Sequence, residues 1–246
     1  MKNNKSLGQH WLGNRAILDL IADYAFVNAD DICLEIGPGL GTLTSSLLKR
    51  FQKVIAVEYD ARLAANLPGS FPGKNLEVIH ADILDFDFTK IKGNYAIAGN
   101  IPYYITSPIL EKVLTTSHLA SRIVLLMQKE VAERITSDKE TVLSLFVKNR
   151  ATVTSGPIVK KDEFTPPPKV DSMILILDPH DPTVDESVFR LIRQGFSAPR
   201  KKLIHNLASL RPESELARIF KSINITSDAR PGDLHLDDWR QLNNFL

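Results

Sequence analysis

Short apolar runs alternate with segments of helical spacing along most of the chain, and this alternation constrains the fold more than any other feature. Runs with the composition of buried strands are residues 32–36, 54–58, 76–80, 95–98, 123–127 and 173–177. Apolar residues at helical spacing mark the segments 40–50, 60–67, 107–114 and 128–135 between them. Strands that alternate with helices in this way pair in parallel, with the helices as crossover connections. The sequence therefore predicts an α/β fold built on a parallel sheet.

The pattern changes after residue 180. The segment Asp-Pro-His-Asp-Pro at residues 178–182 precedes short helical patterns without strands. A chain of 246 residues can hold one large domain and one small one. We therefore predict a first domain over residues 1–180 and a small helical domain over residues 181–246. The Thr-Pro-Pro-Pro segment at 165–168 breaks regular structure just before the last predicted strand.

Cysteine and charge usage exclude several classes of protein. The single cysteine, Cys33, lies inside an apolar run, which indicates a packed thiol and excludes disulfides and cysteine metal clusters. We expect no metal site, and the lone thiol suits a reducing cytoplasm. No apolar stretch is long enough to span a bilayer, and the polar residues 1–5 lack the apolar core of a signal peptide. The expected location is therefore the cytoplasm.

Positive charge is concentrated near the end of the chain. The net charge of the whole chain is only +1, yet residues 188–221 hold eight basic and two acidic side chains. Three of the basic residues, Arg200, Lys201 and Lys202, are consecutive. Such a segment is either a solvated helix face or a surface that contacts nucleic-acid phosphates, and both interpretations remain open.

A glycine-rich loop follows the first predicted strand. Its sequence, Glu-Ile-Gly-Pro-Gly-Leu-Gly at residues 35–41, ends where a helix is predicted to begin. Glycines at such a turn let a ligand approach the backbone closely, and a helix N-terminus offers free N–H groups. A dinucleotide fingerprint needs a third glycine where this chain has Thr42 or Thr44, so that class is excluded.

Two acidic side chains follow the next predicted strands. Glu58 ends the second strand, where a carboxylate can accept hydrogen bonds from ribose hydroxyls. Asp82 follows the third, within reach of an adenine amino group, although it could instead cap the next helix. Because open α/β sheets bind ligands at the carboxyl ends of their strands, both residues indicate a nucleoside site.

The fourth strand ends in Asn100-Ile101-Pro102-Tyr103. Proline fixes its own backbone angle and pushes the residue before it towards extended geometry, which opens the backbone at this point. The Asn100 amide adds a hydrogen-bond acceptor, and the Tyr103 ring adds a stacking face. Alone, the segment could equally be a strand-end turn with a buried tyrosine.

Together these motifs resemble those of the ribosomal RNA adenine N6,N6-dimethyltransferase family. The resemblance covers most of the chain and rests on residues 5–12, 35–44, 58, 82, 100–108, 128–132, 164–172 and 196–207. It implies a Rossmann-like class I S-adenosylmethionine methyltransferase domain and a small C-terminal helical domain. It also implies the reaction, which is transfer of two methyl groups to each of two adjacent adenines near the 3′ end of small-subunit rRNA.

Site residues follow from the same resemblance, position by position. It implies cofactor contacts for His10, Leu12, Gly37, Gly39, Glu58, Asp82 and Asn100. It implies contacts to the target base for Asn100, Pro102, Tyr103 and Phe164, with Tyr103 and Phe164 stacking on either side of the base. Residues 196–207, with Arg200, Lys201 and Lys202, resemble a basic helix that binds RNA.

This chain departs from the family pattern at several positions. His10 stands where asparagine is usual, Trp11 where phenylalanine is usual, and Pro199 where arginine is common. Residues 137–149 are shorter than the corresponding family segment. These departures bear on cofactor contact and on rRNA docking more than on the chemistry.

Two other functions remain open at this stage. An erythromycin-resistance-type methyltransferase of large-subunit rRNA would share the glycine loop and the Asn-x-Pro-Tyr turn. A non-catalytic ribosome-assembly factor would use the same fold only to bind RNA. DNA adenine and protein-glutamine methylases typically carry a second proline where this chain has Ile101. The expected partner is small-subunit rRNA in a pre-ribosomal particle, with no membrane partner, and the expected state is a monomer.

Overall fold

The computed structural model describes residues 10–28 and 31–246 and divides the chain into two compact units. The first unit comprises Met1–Ala132 and Thr152–His180, and the second comprises Glu133–Ala151 and Asp181–Leu246. The polar residues 1–5 and the matching segment 5–9 lie outside the described residues.

The first unit is built on a seven-stranded sheet. The strands of the described chain are β1 Trp11–Leu12, β2 Ile32–Ile36, β3 Lys53–Glu58, β4 Leu76–His80, β5 Tyr95–Asn100, β6 Arg122–Gln128, β7 Ala151–Val159, β8 Phe164–Thr165 and β9 Ser172–Pro179. The large sheet has the order β4-β3-β2-β5-β6-β9-β7, and β1 pairs separately with β8. Strand order therefore places the ends of β4, β3, β2 and β5 side by side.

The sheet is mixed rather than entirely parallel. Strands β2 to β6 pair in parallel, as predicted, but β9 runs antiparallel to β6, with Val124 opposite Ile176. Strand β7 was not predicted from the sequence. It lies at the sheet edge and contains Gly156 and Pro157, which weaken a strand signal but are tolerated at an edge.

Helices of the first unit cover the sheet. They are α1 Arg15–Ala25, α2 Thr44–Leu47, α3 Ala61–Asn66, α4 Thr106–Thr115 and α5 Lys129–Thr136, the last of which continues into the second unit. Helix α1 begins after Asn14, whose side chain accepts hydrogen bonds from the N–H groups of residues 16 and 17. Helix α2 is shorter than the predicted 40–50, because the residues before it form the glycine turn.

The core of the first unit lies around its central strands. Every residue of β5 from Tyr95 to Ala98 is buried, and Cys33 of β2 is fully buried, as its apolar surroundings predict. Strands covered on both faces carry continuous apolar runs rather than alternating ones. This burial is the reason that the sequence located these strands well.

The second unit is helical. It contains α6 Val142–Lys148, α7 Glu186–Gly195, α8 Leu203–Asn206, α9 Glu213–Ser222 and α10 Leu236–Asn243. Its apolar cluster includes Leu145 of α6, Phe220 of α9 and the fully buried Trp239 of α10. The residue at 195 has to be glycine here, since an added Cβ would overlap the Trp239 ring.

Residues 133–151, predicted to belong to the first domain, group with the second unit instead. Asn149 explains much of this grouping, because its buried side chain is bonded entirely to residues 183 and 184. Its Oδ1 accepts from the N–H of Thr183 (2.9 Å), the hydroxyl of Thr183 (2.9 Å) and the N–H of Val184 (2.8 Å). Its Nδ2 donates to the carbonyl of Val184 at 3.1 Å.

The single basic helix predicted over residues 196–207 is not formed. Helix α7 ends at Gly195, and α8 begins only at Leu203. Pro199 lacks a backbone N–H, so it cannot continue the hydrogen-bond ladder. The Asn206 amide donates to the carbonyls of Gly195 (2.5 Å) and Ala198 (3.0 Å), which stabilises the break.

Candidate active site

A cavity of about 320 Å³ opens at the carboxyl ends of β2, β3, β4 and β5. Its size lies in the range of ligand sites, and its location is the one at which open α/β sheets bind ligands. The structure brings nearly all of the sequence-predicted cofactor and base residues to its wall: His10, Leu12, Gly37, Gly39, Glu58, Asp82, Asn100, Pro102 and Tyr103.

The glycine loop forms one side of this cavity. Gly37, Gly39 and Gly41 have φ values of +65°, +58° and +81°, a region that other residues adopt only with strain. At Gly41 an added Cβ would also lie 2.8 Å from side-chain atoms of Leu67 and Phe71. The loop therefore needs glycine for its backbone conformation and, at position 41, for space.

Glu58 is held at the cavity by backbone donors. Its Oε2 accepts from the Gly39 N–H at 3.0 Å, and its Oε1 accepts from the Asp60 N–H at 2.8 Å. Burial raises the pKa of this carboxyl, and the two backbone hydrogen bonds oppose the rise. Each carboxylate oxygen has a second lone pair, so the group can still accept hydrogen bonds from a ligand.

Glu35 is a cavity residue that sequence reasoning did not assign to the site. It lies on β2, is almost completely buried, and accepts a hydrogen bond from the Thr44 hydroxyl at 2.6 Å. Burial raises the pKa of the Glu35 carboxyl to about 8. The available signal was the charged residue inside an otherwise apolar strand, since such a group is rarely buried without a role.

Asp82 lies after β4 and is half-buried at the cavity. Its Oδ1 accepts from the N–H of Leu84 at 2.9 Å within a turn, and the next helical segment, Phe88–Lys90, is capped by Asp87 rather than by Asp82. One carboxylate oxygen is thus engaged locally, while the second remains available to a ligand. The adenine contact stays a prediction.

Asn100 has a fixed amide orientation. Its Nδ2 donates to the carbonyl of His10 at 2.9 Å. Because the amide nitrogen is committed to this bond, the side-chain oxygen is the atom left to accept a hydrogen bond. The site therefore presents an oriented acceptor at the end of β5.

His10 and Tyr103 support each other beside Asn100. The rings stack with centroids 6.1 Å apart and an angle of 20° between their planes. His10 Nδ1 lies 2.7 Å from the carbonyl oxygen of Pro166, and the Tyr103 hydroxyl lies 2.7 Å from the hydroxyl of Ser172. Burial raises the pKa of Tyr103, so its hydroxyl stays protonated. One face of the Tyr103 ring is thus occupied by protein.

Trp11 places an unpartnered polar atom beside the glycine loop. Its indole nitrogen is buried and has no hydrogen-bond partner among residues 10–28 and 31–246. The indole lies over the glycine loop, with Nε1 at 3.1 Å from the point where a Cβ of Gly39 would be. Buried donors without partners are uncommon, and a ligand acceptor beside this loop would satisfy this one.

Phe164 does not line the cavity in this structure, and its contact with the target base stays a prediction. It is 2% exposed and packs in the hydrophobic core of the first unit. Its backbone pairs with Leu12 across β1 and β8, while its ring turns inward. Leu12 of β1 lines the cavity, although only 1% of it is exposed.

The three predicted RNA-binding residues lie in the second unit. Arg200, Lys201 and Lys202 are all exposed, between α7 and α8. Their side chains are therefore accessible to a negatively charged partner, and phosphate contact stays a prediction.

In residues 10–28 and 31–246, no group of three or more His, Cys, Asp or Glu side chains could hold a metal ion. None of the helices in these residues is both long enough and apolar enough to cross a membrane.

Comparison with known proteins gives full-length matches. The family model for the ribosomal RNA adenine dimethylase matches residues 1–246. Ribosomal RNA small subunit methyltransferase A of Mycoplasma capricolum is 34% identical, with 100% of this chain and 98% of the relative covered. The protein of the same name from Bacillus pumilus is 37% identical, with 98% of this chain and 90% of the relative covered.

Solved structures share the same architecture. A dimethyladenosine transferase from Plasmodium falciparum superposes with a TM-score of 0.81 at 30% identity, covering 95% of this chain and 96% of that one. The 23S rRNA methyltransferase ErmE gives 0.80 at 26% identity, covering 95% and 98%. One of these two structures is named for 23S rRNA and the other for dimethyladenosine, whereas both sequence relatives above are named for the small subunit.

Proposed function

Because the chain belongs to the ribosomal RNA adenine dimethylase family, we propose that it dimethylates N6 of two adjacent adenines near the 3′ end of small-subunit rRNA. It is an S-adenosylmethionine-dependent methyltransferase with a Rossmann-like fold. The observation that carries the proposal is the oriented Asn100 oxygen at the end of β5, in the same cavity as Glu58 and the glycine loop.

The residues of the cavity fit the cofactor. S-adenosylmethionine, when bound, supplies a methyl group activated by a sulfonium sulfur. Glu58 would accept hydrogen bonds from the ribose hydroxyls, and the free oxygen of Asp82 would accept one from the adenine amino group. The positive-φ glycines allow close approach to the loop, and the unpartnered Trp11 N–H offers one more donor.

Asn100 and the turn that follows it would orient the target. Adenine N6 is a weak nucleophile because its lone pair is delocalised into the ring. The Asn100 oxygen and a backbone carbonyl of the Ile101-Pro102 turn would accept the two amino hydrogens, which favours a tetrahedral nitrogen and stabilises developing positive charge. Holding the nitrogen in line with the methyl group lowers the barrier by several kcal/mol, on the order of that seen for oriented reactants.

The same arrangement allows a second transfer. After one methylation the nitrogen still carries one hydrogen, which the Asn100 oxygen can accept. The target base must leave its stack to enter the cavity, where the free face of Tyr103 would support it. Dimethylation therefore requires only that the cavity admit a second methyl group.

Two alternatives are less well supported. A large-subunit methyltransferase of the resistance type would share the fold, as ErmE does, but the sequence relatives with 34% and 37% identity are named for the small subunit. A non-catalytic assembly factor would not need Glu58, Asn100 and the glycine loop together in one cavity.

Exposed Arg200, Lys201 and Lys202 supply positive charge for rRNA phosphates, whose contacts dominate RNA affinity. We place the reaction on a pre-ribosomal particle in the cytoplasm, with the enzyme acting as a monomer.

Methyl transfer from labelled S-adenosylmethionine tests this function. The acceptors are unmethylated small subunits, large subunits and the corresponding naked rRNAs, and the product nucleoside is identified by mass spectrometry. We expect N6,N6-dimethyladenosine on small-subunit particles. Label on large-subunit RNA would favour the resistance-type alternative. Cofactor binding without transfer to any acceptor would contradict both the small-subunit and the large-subunit function.

A further inference from the structure

Tyr104 is one of two exposed tyrosines at the cavity, the other being Tyr59, whose side chains make no hydrogen bond or ring contact with any described residue. It lines the same cavity as Tyr103, yet 62% of it is exposed. It has neither a hydrogen bond nor a ring contact with any described residue, whereas Tyr103 has both. An exposed aromatic ring at the wall of a ligand cavity offers a face on which a nucleobase can stack.

The exposed Tyr104 ring differs in its surroundings from the two rings predicted to hold the target base. Phe164 is in the core, and Tyr103 has one face against His10. Only one face of Tyr103 is therefore left for the target adenine. Tyr103 thus supplies one stacking face, and Phe164 supplies none at the cavity wall in this structure.

Local structure places Tyr104 next to the base site. It lies in the 3-10 turn Tyr103–Ile105, between the end of β5 and the start of α4. The turn is held by the Thr106 hydroxyl, which donates to the carbonyl of Tyr103 at 3.1 Å. Consecutive Cα atoms are about 3.8 Å apart, so the Tyr104 backbone is fixed one residue from the ring that supports the target.

We propose that Tyr104 stacks on the nucleobase next to the target adenine in the RNA strand. This inference rests on the proposed function. When the target leaves its stack, the neighbouring base loses a stacking partner and remains tethered to the target through one phosphate. An exposed aromatic ring at the cavity mouth replaces that lost partner, which is how proteins commonly hold unstacked RNA bases.

Tyr59 provides a matched control within the same cavity. It is also a cavity tyrosine, 61% exposed, but it follows Glu58 at the end of β3. In the sheet order, β3 and β5 lie on opposite sides of β2. Tyr59 is therefore on the side where Glu58 would hold the cofactor ribose, and Tyr104 is on the side of the target base.

The experiment compares Tyr104→Ala, Tyr104→Phe and Tyr59→Ala with the wild-type enzyme. It measures particle affinity without cofactor, KM for small-subunit particles, and the dissociation constant of S-adenosylmethionine by calorimetry. For Tyr104→Ala we expect about a tenfold rise in particle Kd and KM, within the range for one lost base stack, with unchanged cofactor affinity. Tyr104→Phe keeps the ring and should behave as wild type. Tyr59→Ala should leave particle affinity unchanged.

Three results would overturn the inference: unchanged particle affinity in Tyr104→Ala, equal losses in Tyr104→Ala and Tyr104→Phe, or cofactor affinity that falls together with particle affinity. Thermal unfolding of both Tyr104 variants checks that the exposed substitution leaves the fold intact. Particle binding by the wild type without methyl transfer would contradict the proposed function. A Tyr104→Ala defect in that same binding would still support the stacking contact, so the two failures are distinguishable.

Discussion

The buried carboxyl of Glu35 should make the stability of this protein fall as pH rises, and Glu35→Gln should remove most of that fall. Burial raises the pKa of this group from its usual 4.5 to about 8 in the folded chain. Between these values the folded protein holds a proton that the unfolded chain has released. The stabilisation linked to this proton is complete below pH 4.5 and is lost as pH rises to about 8.

The expected magnitude follows from the linkage relation. Each pH unit inside this window changes the free energy of unfolding by about 1.4 kcal/mol, so a rise from pH 5 to pH 7.5 should cost about 3 kcal/mol. Glutamine is neutral at every pH and can still accept the hydrogen bond from the Thr44 hydroxyl. The variant should therefore equal the wild type near pH 5 and exceed its stability by about 3 kcal/mol at pH 7.5.

Urea unfolding followed by circular dichroism, at half-unit steps from pH 5 to pH 8, measures this difference. Thr44→Val is the informative control, because the hydroxyl bond lowers the Glu35 pKa and its loss should extend the fall in stability to higher pH. Glu58 also has a raised pKa and leaves a residual slope in every variant, so the comparison is between slopes. If the free energy of unfolding depends on pH equally in the wild type and in Glu35→Gln, the raised pKa of Glu35 is refuted.

Three further outcomes are expected. Asn100→Ala should lower kcat by about 100-fold or more, measured by dimethyladenosine formation, with a smaller change in cofactor Kd; equal losses in both would contradict the assigned orientation of the target amine. Gly41→Ala should lower the free energy of unfolding by about 2–5 kcal/mol, because both its positive φ and its close neighbours disfavour a Cβ. Gly73→Ala has a positive φ but open space, so it should lower the free energy of unfolding by only about 1–2 kcal/mol; similar urea midpoints for the two variants would show that the close neighbours of Gly41 play no part. Asn149→Ala removes the bonds to residues 183 and 184 and should destabilise the second unit by about 2–4 kcal/mol in calorimetry, whereas an unchanged transition would show that segment 133–151 is held by apolar packing alone.

The central strands that sequence patterns located are buried on both faces of the sheet. Strands β2 and β5 are buried on both faces, so a continuous apolar run was sufficient to find them. Strand β7 has an exposed edge with Gly156 and Pro157, and its signal is correspondingly weak. Residues 133–151 join the second unit through the side-chain bonds of Asn149, which no local pattern reveals.

The candidate site was predictable to the extent that it depends on strand ends. Glu58 and Asn100 end a strand and Gly37 and Asp82 follow one, and parallel pairing brings such positions together. The burial of Phe164 has no local signal, because it accompanies the pairing of β1 with β8, which joins Leu12 to Phe164 across 152 residues. Long-range contacts of this kind are outside the reach of a local pattern.

The two tryptophans of the chain, Trp11 and Trp239, belong to different compact units. The indole of Trp11 lies at the glycine loop, and that of Trp239 is fully buried in the helical core. Intrinsic fluorescence therefore provides two separate probes without any added label. In Trp239→Phe the remaining emission reports the cofactor cavity, and in Trp11→Phe it reports the melting of the helical unit alone.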